Sequence, residues 1–178
     1  MITYKRASSD DELHQILAIQ KRALKGNVSM EDQEKEGYIT VPHTFDLLKT
    51  MNDASPHVLA MDGEQVAAYA LVMPRIFRKL IPILIPMFET GDRLLPGRNY
   101  LAMGQICIDK PYRGQGLFQG LYDFYKSELS PTYDCLFTEV ATSNIRSLKA
   151  HQRVGFKILE TQTTDGTTWE MINWDWRD

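Results

Sequence analysis

Cysteine is scarce in this chain. Two occur in 178 residues, Cys107 and Cys135, both inside apolar, strand-like runs. That excludes a disulfide framework and points to a reducing compartment. Long apolar runs are absent too. The most apolar stretch, residues 80–88, is far shorter than the ~20 residues of a membrane span, and it carries Pro82 and Pro86. The opening MITYKRASSDDELHQ lacks the apolar centre of a signal peptide. The expected address is therefore cytoplasmic, with no membrane partner. Neither sign of charge dominates: 20 Lys and Arg stand against 23 Asp and Glu, a net charge of −3. Without a basic footprint, nucleic acid is not an expected partner. The four histidines (His14, His43, His57, His151) show no metal-ligand spacing, so no metal is expected. There is no internal repeat, low-complexity tract or linker. What remains is an ordinary globular mix, 43% hydrophobic and 24% charged, read as a single domain over 1–178.

Periodicity orders that domain. Residues 2–7 read as a strand. Ser8 or Ser9 caps a helix with Leu13, Ile16, Leu17 and Leu24 at helical spacing. Residues 26–37 read as a loop or frayed helix. A second helix carries Phe45, Leu47, Leu48 and Met51. Strands 57–61 and 65–73 flank Asp62-Gly63, a hairpin signal. Residues 74–98 read as an irregular, proline-containing insertion. Strand 100–108, helix 116–129, strand 135–140, helix 144–154 and strands 156–161 and 167–176 complete the chain. The order predicts a mixed α/β fold, with hairpins and helical crossovers together.

Residues 104–120, GQICIDKPYRGQGLFQG, are the most informative stretch. A β-type run ends in a Pro-Tyr turn, Arg113-Gly114-Gln115-Gly116 follows, and a helical pattern starts at once. Glycines between strand and helix let backbone N–H groups approach a phosphate, and a helix N-terminus adds partial positive charge. Arg113 would add a full one. No Gly-Lys-Ser/Thr ending makes this a Walker loop, and Gly-x-Gly-x-x-Gly is absent. On spacing alone, a tight turn whose glycines serve geometry explains it equally.

Residues 138–156, TEVATSNIRSLKAHQRVGF, are the second. A strand stops at Val140, and Ser143 or Asn144 opens a helix. Asn144, Ser147 and His151 share one face of it, opposite Ile145, Leu148 and Val154. That face is either solvated or turned to a polar partner.

Together the two stretches resemble the GCN5-related N-acetyltransferase family. Arg113-Gly114-Gln115-Gly116-Leu117-Phe118 is similar to its pyrophosphate motif, Gln/Arg-x-x-Gly-x-Gly/Ala. Glu139-Val140, Asn144 and Gly155-Phe156 are similar to its second strand-to-helix join. Two positions depart: Phe118 stands where Gly or Ala is usual, and His151 replaces a frequent tyrosine.

The resemblance implies a central twisted mixed sheet of about seven strands flanked by helices, with a splayed parallel pair. It implies acetyl-CoA as cosubstrate, in a cleft between strands 101–108 and 135–140. Ile106, Cys107 and Ile108 would pair with the pantetheine arm, and the N–H near Ile106 would polarise the thioester. Amides from Arg113 to Phe118, through Gly114, Gln115, Gly116 and Leu117, would hold the pyrophosphate. Asn144 and Ser147 would meet the pantetheine from the other side. An amine would attack directly, with Glu139 as base and His151 as acid. Each has a plainer reading, Glu139 as a salt-bridged strand carboxylate and His151 as a hydrogen-bonded histidine at the cofactor edge. Cys107, mid-strand among isoleucines, reads as a structural thiol rather than a nucleophile.

The acceptor, a small-molecule or peptide amine, is expected between the first helices and the far loops. Tyr38, His43 and Phe45 are its candidate contacts. Insertion 74–98 reads as a lid or a homodimer contact. Arg75, Arg78 and Lys79 in it would disfavour a polyamine, whereas Glu89 and Asp92 would favour one. A module that binds acetyl-CoA without turnover is the alternative to an enzyme.

Overall fold

The structure is a computed structural model and describes residues 1–177. Among these, seven strands form one sheet: β1 (Ile2–Arg6), β2 (Val58–Asp62), β3 (Gln65–Met73), β4 (Tyr100–Ile108), β5 (Cys135–Ala141), β6 (Lys157–Thr164) and β7 (Thr167–Asp175). Their order is β1-β2-β3-β4-β5-β7-β6, and every neighbouring pair is antiparallel except β4–β5. The mixed sheet expected from the sequence is therefore present.

Helices cover both faces. On one lie α1 (Asp10–Ala23), α3 (Phe45–Ala54) and α4 (Ile85–Leu94), packed over Tyr69, Leu71, Tyr100 and Phe137. On the other lie α5 (Leu117–Leu129) and α6 (Ile145–Val154), over Ala70, Val72, Leu101 and Leu136. The two-residue alternation of the strands feeds both cores. Local chemistry sets the boundaries. Ser9 and Glu12 form a capping box at the start of α1, each side chain accepting the other's backbone N–H. Gly63 and the Asp165-Gly166 pair take positive φ in the two hairpin turns.

Two segments are more regular than expected. Residues 26–37 contain α2 (Met30–Glu36), whose first turn Ser29 caps. Insertion 74–98 is not irregular: it holds two short 3-10 turns and then α4. Pro82 and Pro86 start helical turns rather than break them, because the missing N–H is not needed there. Gly91 lets α4 lie close to the sheet, since a Cβ there would sit 2.9 Å from the Tyr100 hydroxyl and 3.0 Å from the Phe137 ring. Salt bridges from Arg93 to Glu160 and a hydrogen bond from Thr90 to Gln162 pin α4 to β6.

Candidate active site

The parallel ladder between β4 and β5 is short. It joins Tyr100 to Cys135, Leu101 to Leu136 and Ala102 to Phe137, although both strands run on. The Thr138 hydroxyl then donates to the Met103 carbonyl across 2.9 Å, closing the apex of the gap. Just beyond, β4 bulges: Ala70 faces Ile106 while Val72 faces Met103, so Gly104 and Gln105 together face Leu71. From here the two strands diverge.

A cavity of about 110 Å³ fills the opening. Glu139 and His151 both line it, Glu139 from β5 on the α4 side and His151 from α6 on the opposite side. Burial pushes the Glu139 carboxyl up to about 7. That brings its titration close to neutral pH.

His151 is only 1% exposed. Its Nδ1 lies 2.8 Å from the Ser147 carbonyl, which can only accept, so Nδ1 carries the proton. Nε2 therefore accepts from the Tyr122 hydroxyl at 2.8 Å. Burial pushes the imidazole down to about 4, against the pull of the Ser147 carbonyl. His151 is thus a neutral ring with both nitrogens engaged. The acid role expected of it meets a physical obstacle: its one proton is held by a backbone carbonyl.

A second cleft, of about 670 Å³, continues from the cavity along the outside of the gap. β4 contributes Ile106, Cys107 and Ile108. The glycine loop contributes Arg113, Gly114 and Gly116, and α5 contributes Leu117 and Phe118. From α6 come Asn144 and Ser147. So the structure brings these predicted residues together. Gln115 is not among the lining, its amide turning back to the Pro111 carbonyl. Gly114 and Gly116 have φ of 75° and 80°, with open space where a Cβ would sit. No side chain caps α5. Its first amides have no partner within the helix, as an anion site requires. Arg113 donates to the Ile108 carbonyl, and Arg22 clamps Asp109 with two hydrogen bonds, so the loop is braced from both sides. Phe118 packs edge-on against Tyr122 and His151, its ring centre 5.1 Å from each of theirs. The ring thus turns partly into the core at the position where Gly or Ala is usual.

Asn144 does more than expected. Its Oδ1 caps α6 by accepting the Ser147 N–H, and its Nδ2 donates to the Tyr38 carbonyl. Tyr38 lines both the cavity and the cleft, and its hydroxyl pairs with Ser143. Residues 37–39 thus strap α1 to α6 across the gap, Ile39 also exchanging backbone hydrogen bonds with Ala23 and Lys25.

Of the other acceptor candidates, neither reaches the cavity lining. Phe45 stacks on His14, ring centres 4.4 Å apart. His43 is buried, its Nδ1 accepting from Gln20 and its N–H donating to Gln20. Gln20 also donates to Gln105, which accepts from the Tyr69 hydroxyl and donates to the Val41 carbonyl. This network fixes the β4 bulge against the strap. Its signal in the sequence is slight: Gln20 and Gln105 are polar residues at positions whose neighbours in the pattern are apolar.

Cys107 is buried and its thiol is pushed up to about 12, so it carries no thiolate at neutral pH. Among the described residues, no group of three His, Cys, Asp or Glu side chains could hold a metal ion. No helix among them is long and apolar enough to cross a membrane.

Comparisons with known proteins agree with this geometry. The model of the acetyltransferase (GNAT) family matches residues 13–156. Among curated proteins, none matches the chain. Solved structures share the fold at low identity. The ribosomal-protein-S18-alanine N-acetyltransferase of Escherichia coli is 17% identical, with a TM-score of 0.66 over 98% of this chain and 94% of its own. An N-acetyltransferase from Staphylococcus aureus Mu50 is 20% identical, with a TM-score of 0.68 over 98% of each chain. The yncA protein of Salmonella typhimurium, solved with its cofactor acetyl-CoA, is 14% identical, with a TM-score of 0.69 over all of this chain and 95% of its own. With both motifs on the two sides of one splayed strand pair, and the family model spanning most of its length, this chain belongs to the GNAT acetyltransferase family.

Proposed function

We propose that the protein transfers the acetyl group of acetyl-CoA to a primary amine by direct attack in a ternary complex. The observation that carries this is the gap between β4 and β5, lined by Glu139 on one side and by α6 on the other. A pantetheine arm would lie along Ile106, Cys107 and Ile108 as an added strand. The uncapped start of α5, with Arg113 beside it, suits a pyrophosphate. The Ile106 N–H, next to the bulge, is the candidate donor to the thioester oxygen.

Glu139 takes a proton from the entering ammonium, and the amine nitrogen then bonds to the acetyl carbon. The C–S bond breaks, the departing thiolate is protonated, and the nitrogen, positively charged after attack, releases its second proton to water to leave the neutral amide. The proton now on Glu139, whose carboxyl is pushed up to about 7, is available to the thiolate. His151 holds Tyr122 and the α6 helix beside the reacting sulfur and acts as a positioning residue. The two buried free thiols fit a reducing, cytoplasmic setting.

Calorimetric titration with acetyl-CoA tests the reading, with dephospho-CoA and ATP alongside. Micromolar binding that Arg113→Glu abolishes, together with CoA release in the presence of an amine, supports it. Binding without release for any amine would turn the protein into a CoA-binding module. Absence of binding would remove the cofactor altogether.

A further inference from the structure

We propose that the acceptor is a primary monoamine with an apolar body, not a polyamine and not an amine carrying a carboxylate. The inference rests on the acetyl-transfer reading above and concerns the part of the cavity beyond Glu139.

That part is walled by Ile83, Leu84 and Met87 from insertion 74–98, by Ile39 from the strap and Val41 just after it, and by Trp169 from β7. Among the described residues, the ionisable side chains on the lining are Tyr38, Glu139 and His151. His151 is buried with both ring nitrogens already engaged by Ser147 and Tyr122, and Glu139 is engaged with the reacting ammonium. So among the described residues no lining carboxylate is left for a second ammonium, and no lysine or arginine for a carboxylate. A charged far end would lose its water there without gaining a partner, which is costly. An apolar body instead gains by leaving water.

The insertion's own charges are turned elsewhere. Arg78 pairs with Asp92, and Arg75 lies over the Tyr100 ring at 4.9 Å. Asp92 also accepts from the Tyr100 hydroxyl, and Glu89 is exposed outside the lining. The opposing charges of 74–98 thus fasten the insertion to the start of β4 and leave its apolar side to the cavity. The bonds from Arg93 to Glu160 and Thr90 to Gln162 hold that wall in place.

Three amines of one chain length test the proposal: hexylamine, hexamethylenediamine and ε-aminocaproate. They differ only in a methyl, an ammonium or a carboxylate at the far end. CoA release is measured for each. Hexylamine is expected to show a kcat/KM at least tenfold above the other two. Ile83 is 59% exposed, so a charge placed there can stay in water. In Ile83→Glu the ratio of diamine to hexylamine should rise about tenfold, with acetyl-CoA affinity by calorimetry unchanged. Equal or better turnover of the diamine or aminocaproate, or an unchanged ratio in Ile83→Glu, overturns the proposal and leaves acetyl transfer standing. Preference for a lysine-containing peptide does the same. Absence of acetyl-CoA binding overturns the acetyl-transfer reading, and this proposal with it.

Discussion

The Tyr122 hydroxyl donates to Nε2 of His151 across 2.8 Å, and both groups are buried between α5 and α6. The bond fixes the imidazole's tautomer and joins the two helices behind the gap. His151→Phe leaves the hydroxyl buried without its acceptor. Denaturant unfolding should show a loss of roughly 1–3 kcal/mol. Tyr122→Phe in the same chain should recover part of it, because no polar group is then stranded. The pH profile of kcat/KM should keep its shape in His151→Phe. Loss of a limb would make His151 a proton carrier rather than a positioning residue.

Glu139 predicts the limb that is present. Its carboxyl is pushed up to about 7, and only the carboxylate can take a proton. Wild-type kcat/KM should therefore rise with pH through about 7 and level off above. Glu139→Gln should lower kcat about 100-fold or more and flatten that rise. A wild-type rate at every pH in Glu139→Gln would remove the base from the mechanism.

Three buried histidines predict acid sensitivity. His43, His57 and His151 are each pushed down to about 4, mainly by burial. The unfolded chain binds their protons near its ordinary pKa of about 6.5, and the folded chain does not. Their contribution to stability is thus complete above 6.5 and is lost as pH falls towards 4, on the order of 3 kcal/mol per histidine. Glu139 acts in the opposite sense. Its raised carboxyl favours folding at low pH, an advantage lost as pH rises through 7. Thermal melts from pH 7 to pH 4 should show a steep fall dominated by the histidines. A flat profile would mean that their rings are not held neutral.

Gly91 predicts a coupling between packing and the acceptor site. A Cβ at this position would meet the Tyr100 hydroxyl and the Phe137 ring, both in fully buried side chains. Gly91→Ala should cost roughly 1–3 kcal/mol by overpacking. It should also raise KM for the amine more than for acetyl-CoA, because Met87 and Leu84 move with α4. Equal changes in both would detach α4 from the acceptor wall.

Much of the fold is legible in the residues. Asp62-Gly63 marks its hairpin, Ser9 and Glu12 mark a helix start, and the two motifs flank the splayed strands as their order implies. These are local signals, each complete within a few residues. What was not legible depends on burial or on distant contact. Gln20, Gln105 and Tyr69 come from three elements and meet only in the folded chain. His43 reads as a pocket residue until its ring is seen bound by Gln20. The resemblance gives His151 an acid role, and neither its burial nor its bond to Tyr122 is visible in the sequence. Insertion 74–98 reads as irregular, yet Pro82 and Pro86 lie in the first turn of helical segments, where a proline is tolerated.

Among the described residues, three pairs form the ladder that joins β1–β4 to β5–β7. Each half is by itself a continuous antiparallel ribbon. The sheet is in effect two plates meeting at a short seam, with the Thr138–Met103 bond as its last stitch. A strand-like ligand laid in the opening would add the rungs that the polypeptide omits and couple the plates into one elastic body. Occupancy would then be felt at both outer edges, β1 and β6, far from any atom the ligand touches. Departure of the spent carrier would loosen the same seam, so turnover would alternate a stiff molecule with a compliant one.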